Sequence, residues 1–420
     1  SVPLSFNLIF LDYKSIHRRK YRLQILDFQW LKSLDRRGSM SKQILIVLGI
    51  LLIFGCADVS KENQLQTGCS GDSESTPENV YVAPAPTPAP TPLSSVVKIT
   101  AGGTGRLAHT CALLSNGTAK CWGINDFGQL GDGTTSSRNS PVNFDSGVSS
   151  VIDIDAGLRR TCAVLADGTV KCWGYDAANV FASGNVSSTT HTYSGFDNET
   201  KIDIGSYSAC TLKDNSSRCW GRTSGTYSNV LQTVAGTEHI CNLKSDKTVS
   251  CYGNNPNGEI NSTNISNASS ISSNGQHTCA VIESGTVECW GLNFQGQLGD
   301  GTHQNTSSKE VMNLGSVTKI DTSYYHSCAI LSDQTVKCWG MNTSGQLGHG
   351  FQSPGNASDQ YETASTVIDI NGAIDIAVSD SHSCALLSNQ TVKCWGDNEY
   401  GQLGNKNNND SLSPVTVILN

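Results

Sequence analysis

Short runs of alternating hydrophobic and polar residues recur through the last three quarters of the chain, each interrupted once by a turn signal. In residues 109–122 the run reads HTCALLSNGTAKCW, where two alternating stretches flank Asn116 and Gly117. Alternation at every second residue is typical of a strand with one buried face, and Asn-Gly is typical of a tight hairpin turn. The segment is therefore predicted to fold as a β-hairpin.

The same pattern occurs seven times, and we call each copy a kernel. Six kernels end in Cys-Trp-Gly and the fourth ends in Cys-Tyr-Gly. Folding a kernel at its turn brings its two cysteines opposite each other, at a Cα separation of about 4.5–5.5 Å that a disulfide can span. The predicted disulfides are Cys111–Cys121, Cys162–Cys172, Cys210–Cys219, Cys241–Cys251, Cys279–Cys289, Cys328–Cys338 and Cys384–Cys394. Reduced core cysteines are the alternative.

Further motifs accompany the kernels. Strands such as VIDIDAG (151–157) precede them, and loops such as GINDFGQLGDGT (123–134) and GLNFQGQLGDGT (291–302) follow, sharing W-G-x-N-x-x-G-Q-L-G. With these motifs, residues 94–420 resemble the RCC1 (regulator of chromosome condensation) repeat family. The resemblance implies an all-β, seven-bladed β-propeller whose terminal strand, within SPVTVILN (413–420), closes the ring.

Blade stacking gives the same expectation on physical grounds. Seven units of about 47 residues suit four-stranded sheets, which bury their faces only by packing radially against neighbours. The kernel tryptophans are predicted to form the core between blades, and Tyr252 is predicted to take that place in blade four. Blades two to four lack GQLG, so the ring is expected to be uneven.

The N-terminal part carries export signals. Residues 40–55 have a lysine near their start and about a dozen apolar residues, too short to span a bilayer, and they read as a lipoprotein signal peptide. Ile53-Phe54-Gly55-Cys56 resembles a bacterial lipobox, in which Cys56 is lipidated; a plain signal peptide is the alternative. Residues 56–93, rich in Pro, Ala and Thr, are predicted to be a disordered, extended tether.

Residues 1–39 are polar and precede this signal. We interpret them as an over-extended gene model with Met40 as the start, and a genuine cytoplasmic extension is the alternative. The sixteen cysteines then comprise seven pairs, Cys56 and Cys69. Export permits disulfides. Cys69 is either free or paired between molecules.

Charge argues against nucleic acid. Residues 1–55 carry nine Lys/Arg and three Asp/Glu, so the remaining 365 residues have a net charge near −14, although the whole chain is −8. Phosphate backbones require basic surfaces. We therefore expect no nucleic-acid partner, and contact with a membrane only through an N-terminal lipid.

Histidines precede the first kernel cysteine by two residues in five blades: His109, His239, His277, His326 and His382. One histidine per blade is dispersed around a ring, so we predict a hydrogen-bonding role at the start of a strand rather than a metal site. No nucleophile elbow, phosphate loop or dinucleotide motif occurs. The sequence thus predicts no catalytic residue, metal or cofactor, and Asp132 and Asp300 are expected to be turn residues.

Aromatic residues at variable loop positions are the candidate partner-binding residues: Phe127, Phe294 and Tyr400. Exposed aromatic side chains are favoured at protein interfaces. The alternative is that each ring folds against the adjacent blade.

These features together predict a non-enzymatic, monomeric, lipid-anchored module on a bacterial cell envelope that presents loops to an unknown protein. Two alternatives are an inhibitor of an exported enzyme, since one β-lactamase inhibitor resembles this architecture, and an envelope hydrolase or lyase with an active site in the central funnel. Guanine-nucleotide exchange is not expected, because an exported protein would not meet a cytosolic or nuclear GTPase.

Overall fold

The computed structural model describes residues 94–144, 148–175, 187–193, 198–254, 256–260, 265–353 and 361–419. The predicted signal peptide, Cys56, Cys69 and the tether lie outside these residues. The described residues form 27 β-strands, and none of them forms a helix able to cross a membrane. The strands build seven separate sheets, which we call blades one to seven in chain order.

The strands of each blade follow one another along the chain. Blade one contains β1 (Val96–Thr104), β2 (Leu107–Leu114), β3 (Ala119–Gly123) and β4 (Arg138–Asn143). Blade two contains β5 (Val151–Ala156), β6 (Arg160–Leu165), β7 (Val170–Gly174) and β8 (Ser187–Tyr193). Blade three contains β9 (Lys201–Ile204), β10 (Ser208–Lys213), β11 (Ser216–Gly221) and β12 (Gly225–Ser228). Blade four contains β13 (Val230–Ala235), β14 (His239–Lys244) and β15 (Val249–Gly253).

Blades five to seven return to four strands. Blade five contains β16 (Ala268–Ser273), β17 (His277–Ile282), β18 (Val287–Gly291) and β19 (Thr306–Glu310). Blade six contains β20 (Val317–Thr322), β21 (His326–Leu331), β22 (Val336–Gly340) and β23 (Tyr361–Thr366). Blade seven contains β24 (Ala373–Val378), β25 (His382–Leu387), β26 (Val392–Gly396) and β27 (Ser411–Thr416).

The blades form a closed ring, which confirms the predicted all-β propeller. Each blade is an antiparallel meander, and its first strand contacts the first strands of the neighbouring blades, with β1 against β24. The expected closing role of the last strand is wrong, because β27 pairs with β26 as the ordinary fourth strand of blade seven. The ring closes by face-to-face packing of blades seven and one.

The two cysteines of every kernel lie directly opposite each other and form a disulfide. Their Cα atoms are 4.0–4.1 Å apart, and the links span nine or ten residues. The hairpin turn between them needs a left-handed residue. Gly117 supplies it with φ 76°, whereas Gln334 and Gln390 hold the same turn position with φ 65° and 70°. Each kernel is therefore a hairpin cross-linked within itself.

Tryptophans fill the space between blades, as predicted for most kernels. Trp122, Trp290, Trp339 and Trp395 are fully buried, and Trp173 is nearly so. Trp220 is only half-buried. The expectation for Tyr252 is wrong, because its side chain is 37% exposed and stacks on Tyr227 of blade three at 4.6 Å. The cause is the preceding blade, which has no GQLG loop to cover it.

Candidate functional site

The five kernel histidines form hydrogen bonds from one blade to the next. Each is at most 1% exposed, and its Nε2 faces a hydroxyl at the kernel position before the next blade's first cysteine. The pairs are His109–Thr161 (2.8 Å), His239–Thr278 (2.9 Å), His277–Ser327 (2.8 Å), His326–Ser383 (2.7 Å) and His382–Thr110 (2.7 Å). The predicted hydrogen-bonding role is confirmed, and these histidines are not aimed at a common point.

In four of these pairs the hydroxyl also donates to the backbone carbonyl of a GQLG glutamine. Thr161 Oγ1 lies 2.8 Å from the Gln129 carbonyl oxygen, and Ser383 Oγ lies 2.9 Å from that of Gln346. A hydroxyl has one proton, so the histidine Nε2 must donate to it. Burial lowers the pKa of His109 to about 4 and is the main cause that lowers that of His326 to about 3. The rings are therefore neutral and carry their proton on Nε2.

Three of the kernel tryptophans bind these same glutamine carbonyls. The Nε1 of Trp122, Trp339 and Trp395 donates to the carbonyl oxygen of Gln402, Gln297 and Gln346, respectively, at 2.8 Å in each case. In blade five, Trp290 Nε1 donates to the Glu259 carbonyl at 2.9 Å. The loops of blades five, six and seven are thus each bound at a glutamine carbonyl by two side chains of the next blade. The histidine, hydroxyl and tryptophan that recur in the kernels therefore join neighbouring blades.

A central channel of about 670 Å³ runs between the first strands of the blades. Its walls carry five aspartates, and one oxygen of each accepts a backbone N–H from the next blade. These bonds are Ile202–Asp153 (2.9 Å), Ile204–Asp155 (2.7 Å), Ala235–Asp203 (2.7 Å), Val378–Asp321 (2.8 Å) and Ile99–Asp375 (2.9 Å). The channel aspartates therefore connect blades along the inner wall.

The charges of the channel are largely neutralised. Lys98 pairs with Asp153 at 2.7 Å, and Lys319 pairs with Asp375. Burial raises the pKa of Asp321 to about 7 and raises that of Asp203 well above its usual range, with nearby Asp155 adding to the second shift. Among the described residues no three His, Cys, Asp or Glu side chains come close enough to hold a metal ion. Each of the five channel aspartates is thus engaged in a contact between blades.

The N-x-x-G-Q-L-G loops are fixed by their own side chains. In blade one, Asn125 Oδ1 accepts the Leu130 N–H at 2.9 Å, and its Nδ2 donates to Asp132 and to backbone carbonyls. Asp132 in turn accepts the Thr134 N–H at 3.0 Å, and Asp300 does the same for Thr302 at 3.1 Å, which are the predicted turn roles. The loop leucine is buried between blades.

The two variable positions of these loops have different environments. The first position points to solvent and holds Phe294, whose side chain is 64% exposed; the same position is exposed in blades one, six and seven. The second position faces the next blade. Phe127 occupies it, packs against Tyr175 at 4.8 Å and lies under the Arg159 guanidinium, so the alternative interpretation applies to this residue. Tyr400, also at the second position, is half-buried.

A second exposed aromatic residue lies beside the strand that the Phe294 loop contacts, and the sequence analysis did not identify it. The Phe294 loop lies against blade six, where a Cβ on Gly296 would come 3.0 Å from the Glu362 Cα. The adjacent Tyr361 contacts Phe351, which is 48% exposed, at 5.8 Å. The Phe294 loop and Phe351 thus both lie beside the start of β23, and we call Phe294 and Phe351 the aromatic rim. Phe351 follows His349-Gly350 at the start of a polar loop. A single hydrophobic residue in such a loop was the feature of the sequence that could have suggested it as a candidate binding residue.

Comparison with known families agrees with this geometry. A model of the regulator of chromosome condensation (RCC1) repeat matches residues 96–129, 151–179, 268–297, 317–346 and 373–402. A second RCC1 repeat model matches residues 116–164, 284–330 and 392–419. Together the matches cover half of the chain. The chain belongs to the RCC1 repeat family. The matched ranges leave out residues 180–267, which include blades three and four.

Solved structures show a similar fold at low sequence identity. Prp20p from Saccharomyces cerevisiae is 15% identical, with a TM-score of 0.62 over 77% of this chain and 87% of that chain; its structure was described with its binding properties to Gsp1p and histones. The ectodomain of the receptor kinase CR4 from Physcomitrella patens is 17% identical, with a TM-score of 0.51 over 72% and 74% of the two chains. These likenesses concern the fold alone.

Proposed function

We propose that this RCC1-repeat propeller is a non-enzymatic scaffold, lipid-anchored at Cys56 to a bacterial cell envelope, that binds another protein through its aromatic rim. The exposure of Phe294 on a rigid loop is the observation that carries the proposal. A large apolar side chain that is 64% exposed gains much more from burial in a partner than a packed one, and the fixed loop reduces the entropy lost on binding.

The environment of the polar residues supports a binding role. The histidines, the hydroxyls beside them and the channel aspartates each take part in hydrogen bonds between blades. Such groups hold the ring rigid, and a rigid ring presents its loops in fixed positions. What Prp20p binds is a property of that protein. The negative net charge of this chain argues against a nucleic acid as its partner, whether free or bound to histones.

The test compares capture of envelope proteins from the producing organism by three immobilised proteins. They are the unchanged protein, the Phe294→Ala/Phe351→Ala double variant, and Thr343→Ala. Thr343 occupies the loop position of Phe294 in blade six and is also exposed, so it is the matched control. Loss of two interface aromatics costs about 2 kcal/mol or more, which is at least a 30-fold loss of affinity.

We expect the double variant to lose the specifically captured protein while Thr343→Ala retains it, with equal melting temperatures for all three. Equal recovery by the double variant and the unchanged protein would contradict the proposal. Recovery lost equally in Thr343→Ala would also contradict it, because the effect would then not depend on the aromatic rings.

A further inference from the structure

The junction between blades three and four lacks a segment that fills other junctions. After its fourth strand, blade seven continues with residues 417–419, and Val417 and Leu419 pack in the core around Trp122 of blade one. Val311 and Leu314 do the same between blades five and six. In blade three, β12 ends at Ser228 and β13 begins at Val230, so the chain has no residues left to form such a segment.

A hollow of about 560 Å³ lies at this junction, lined by residues that include Tyr227, Asn242, Lys244, Asp246 and Tyr252. The buried core around it is small and consists of Cys210, Cys219, Ala235 and Ile240. Tyr227 and Tyr252 stack beside the hollow, and Tyr252 remains 37% exposed. We call this hollow the junction groove. It is separate from the aromatic rim and is supported by different observations.

Asn242 lines the junction groove with an amide that binds nothing. Its side chain is 1% exposed, and neither Nδ2 nor Oδ1 has a hydrogen-bond partner within the described part of the chain. A buried amide with both groups unpaired is strongly unfavourable, and native structures contain few of them. The position follows the first kernel cysteine and holds alanine in five blades: Ala112, Ala163, Ala280, Ala329 and Ala385. The unpaired amide therefore points to a ligand.

The protein itself shows what such an amide binds. In the same blade, Gln232 Nε2 donates to the Ile271 carbonyl at 2.7 Å, and the Ile271 N–H donates back to Gln232 Oε1 at 3.0 Å. One side-chain amide thus satisfies both polar groups of one backbone residue. Ser250, the cross-strand neighbour of Asn242, corresponds to Lys120 of blade one. Lys120 Nζ binds the Leu419 carbonyl, so the missing segment would pass beside Asn242.

The charges of the groove favour an uncharged occupant. Its lining contains one cation, Lys244, and one anion, Asp246. The smaller hollow on the other side of the tyrosine pair contains Arg222 and Glu238, which form an ion pair with each other. A charged segment would meet no net opposite charge on either side. The equivalent segments at other junctions present valine and leucine side chains to the core.

We propose that the junction groove binds an extended, uncharged segment of a partner protein that carries two apolar side chains two residues apart. One backbone unit of the segment pairs with the Asn242 amide. Its apolar side chains pack between blades three and four, at the positions equivalent to those that Val417 and Leu419 occupy between blades seven and one. The segment therefore completes a blade interface that this chain leaves incomplete.

The test uses a labelled peptide of sequence SPVTVIL, which is that of residues 413–419, and follows its fluorescence anisotropy with the full chain. We expect saturable binding that weakens at least tenfold in Asn242→Ala, without a fall in melting temperature because alanine is the usual residue there. Thr211→Ala is the matched control, since it makes the same kind of change at the same kernel position of blade three. It should bind the peptide as the unchanged protein does.

Several outcomes would overturn the proposal. They are absence of saturable binding up to millimolar concentrations, unchanged binding in Asn242→Ala, and equal binding of a peptide in which the residues corresponding to Val417 and Leu419 are replaced by aspartate. A requirement to delete residues 56–93 before the peptide binds would also overturn it, because the chain's own tether would then be the occupant. The Phe294→Ala/Phe351→Ala variant should bind the peptide normally, so failure of this proposal and failure of the aromatic-rim proposal are distinguishable.

Discussion

Replacing one buried histidine should change the pH dependence of stability by a calculable amount. His109 is fully buried, and its Nε2 donates to Thr161 while its Nδ1 has no partner in the described structure. Burial lowers its pKa to about 4 from the ordinary value of 6.5. Glutamine at this position can still donate a hydrogen bond but cannot take up a proton. His109→Gln therefore removes one titration and keeps a polar group in place.

The magnitude follows from proton linkage. Because the folded-state pKa of His109 is depressed, its contribution to stability is fully present above pH 6.5 and is lost as the pH falls towards 4. At pH 5, which is 1.5 pH units below the unfolded-state pKa, the His109 side chain is protonated in the unfolded chain and neutral in the folded chain. At about 1.4 kcal/mol per unit, His109 lowers the free energy of unfolding by about 2 kcal/mol between pH 8 and pH 5.

The assay is urea unfolding of the oxidised protein at pH 8, 6.5 and 5, with and without the substitution. The difference in unfolding free energy between variant and wild type should shift by about 2 kcal/mol in favour of the variant from pH 8 to pH 5. Contributions of buried acids such as Asp321, whose raised pKa acts in the opposite direction, are common to both proteins and cancel. Parallel pH profiles would refute the account of a neutral, desolvated histidine.

Other substitutions test the turns, the contacts between blades and the anchor. Gln334→Gly should raise the free energy of unfolding by about 0.5–1 kcal/mol, because Gln334 has φ 65°, whereas Gly117→Gln should lower it; shifts of the opposite sign would contradict the turn assignment. Ser383→Ala should cost about 1–3 kcal/mol in urea unfolding, since it unpairs a buried histidine; an unchanged midpoint would argue against the hydrogen bond. Cys56→Ser should abolish incorporation of labelled palmitate in producing cells, and retained label would exclude Cys56 as the anchor.

The repeated hairpins could be predicted because their information is local. Turn residues and the spacing of the two cysteines lie within about a dozen residues, and the pairing of Cys111 with Cys121 depends on nothing distant. The fourth strand of blade seven is different. Its partner is chosen by the packing of the whole blade, so the resemblance to a family was not enough to assign β27 correctly.

The surroundings of the aromatic residues could not be predicted from their own segments. Tyr252 is equivalent to a kernel tryptophan, but its burial depends on a loop from the preceding blade that blade three lacks. Phe127 and Phe294 are one loop position apart, and that difference turns one side chain towards the next blade and the other towards solvent. Asn242 could have been identified from the sequence, because five of the other kernels have alanine at the equivalent position.

The binding role of the aromatic rim is tested most directly by photo-crosslinking in producing cells. A benzoylphenylalanine placed at Phe294 should form a covalent adduct with one envelope protein after irradiation. The same group at Phe127, which packs under Arg159, should form none. An identical set of adducts from both positions, or no adduct from Phe294, would contradict the claim that this rim binds a protein partner.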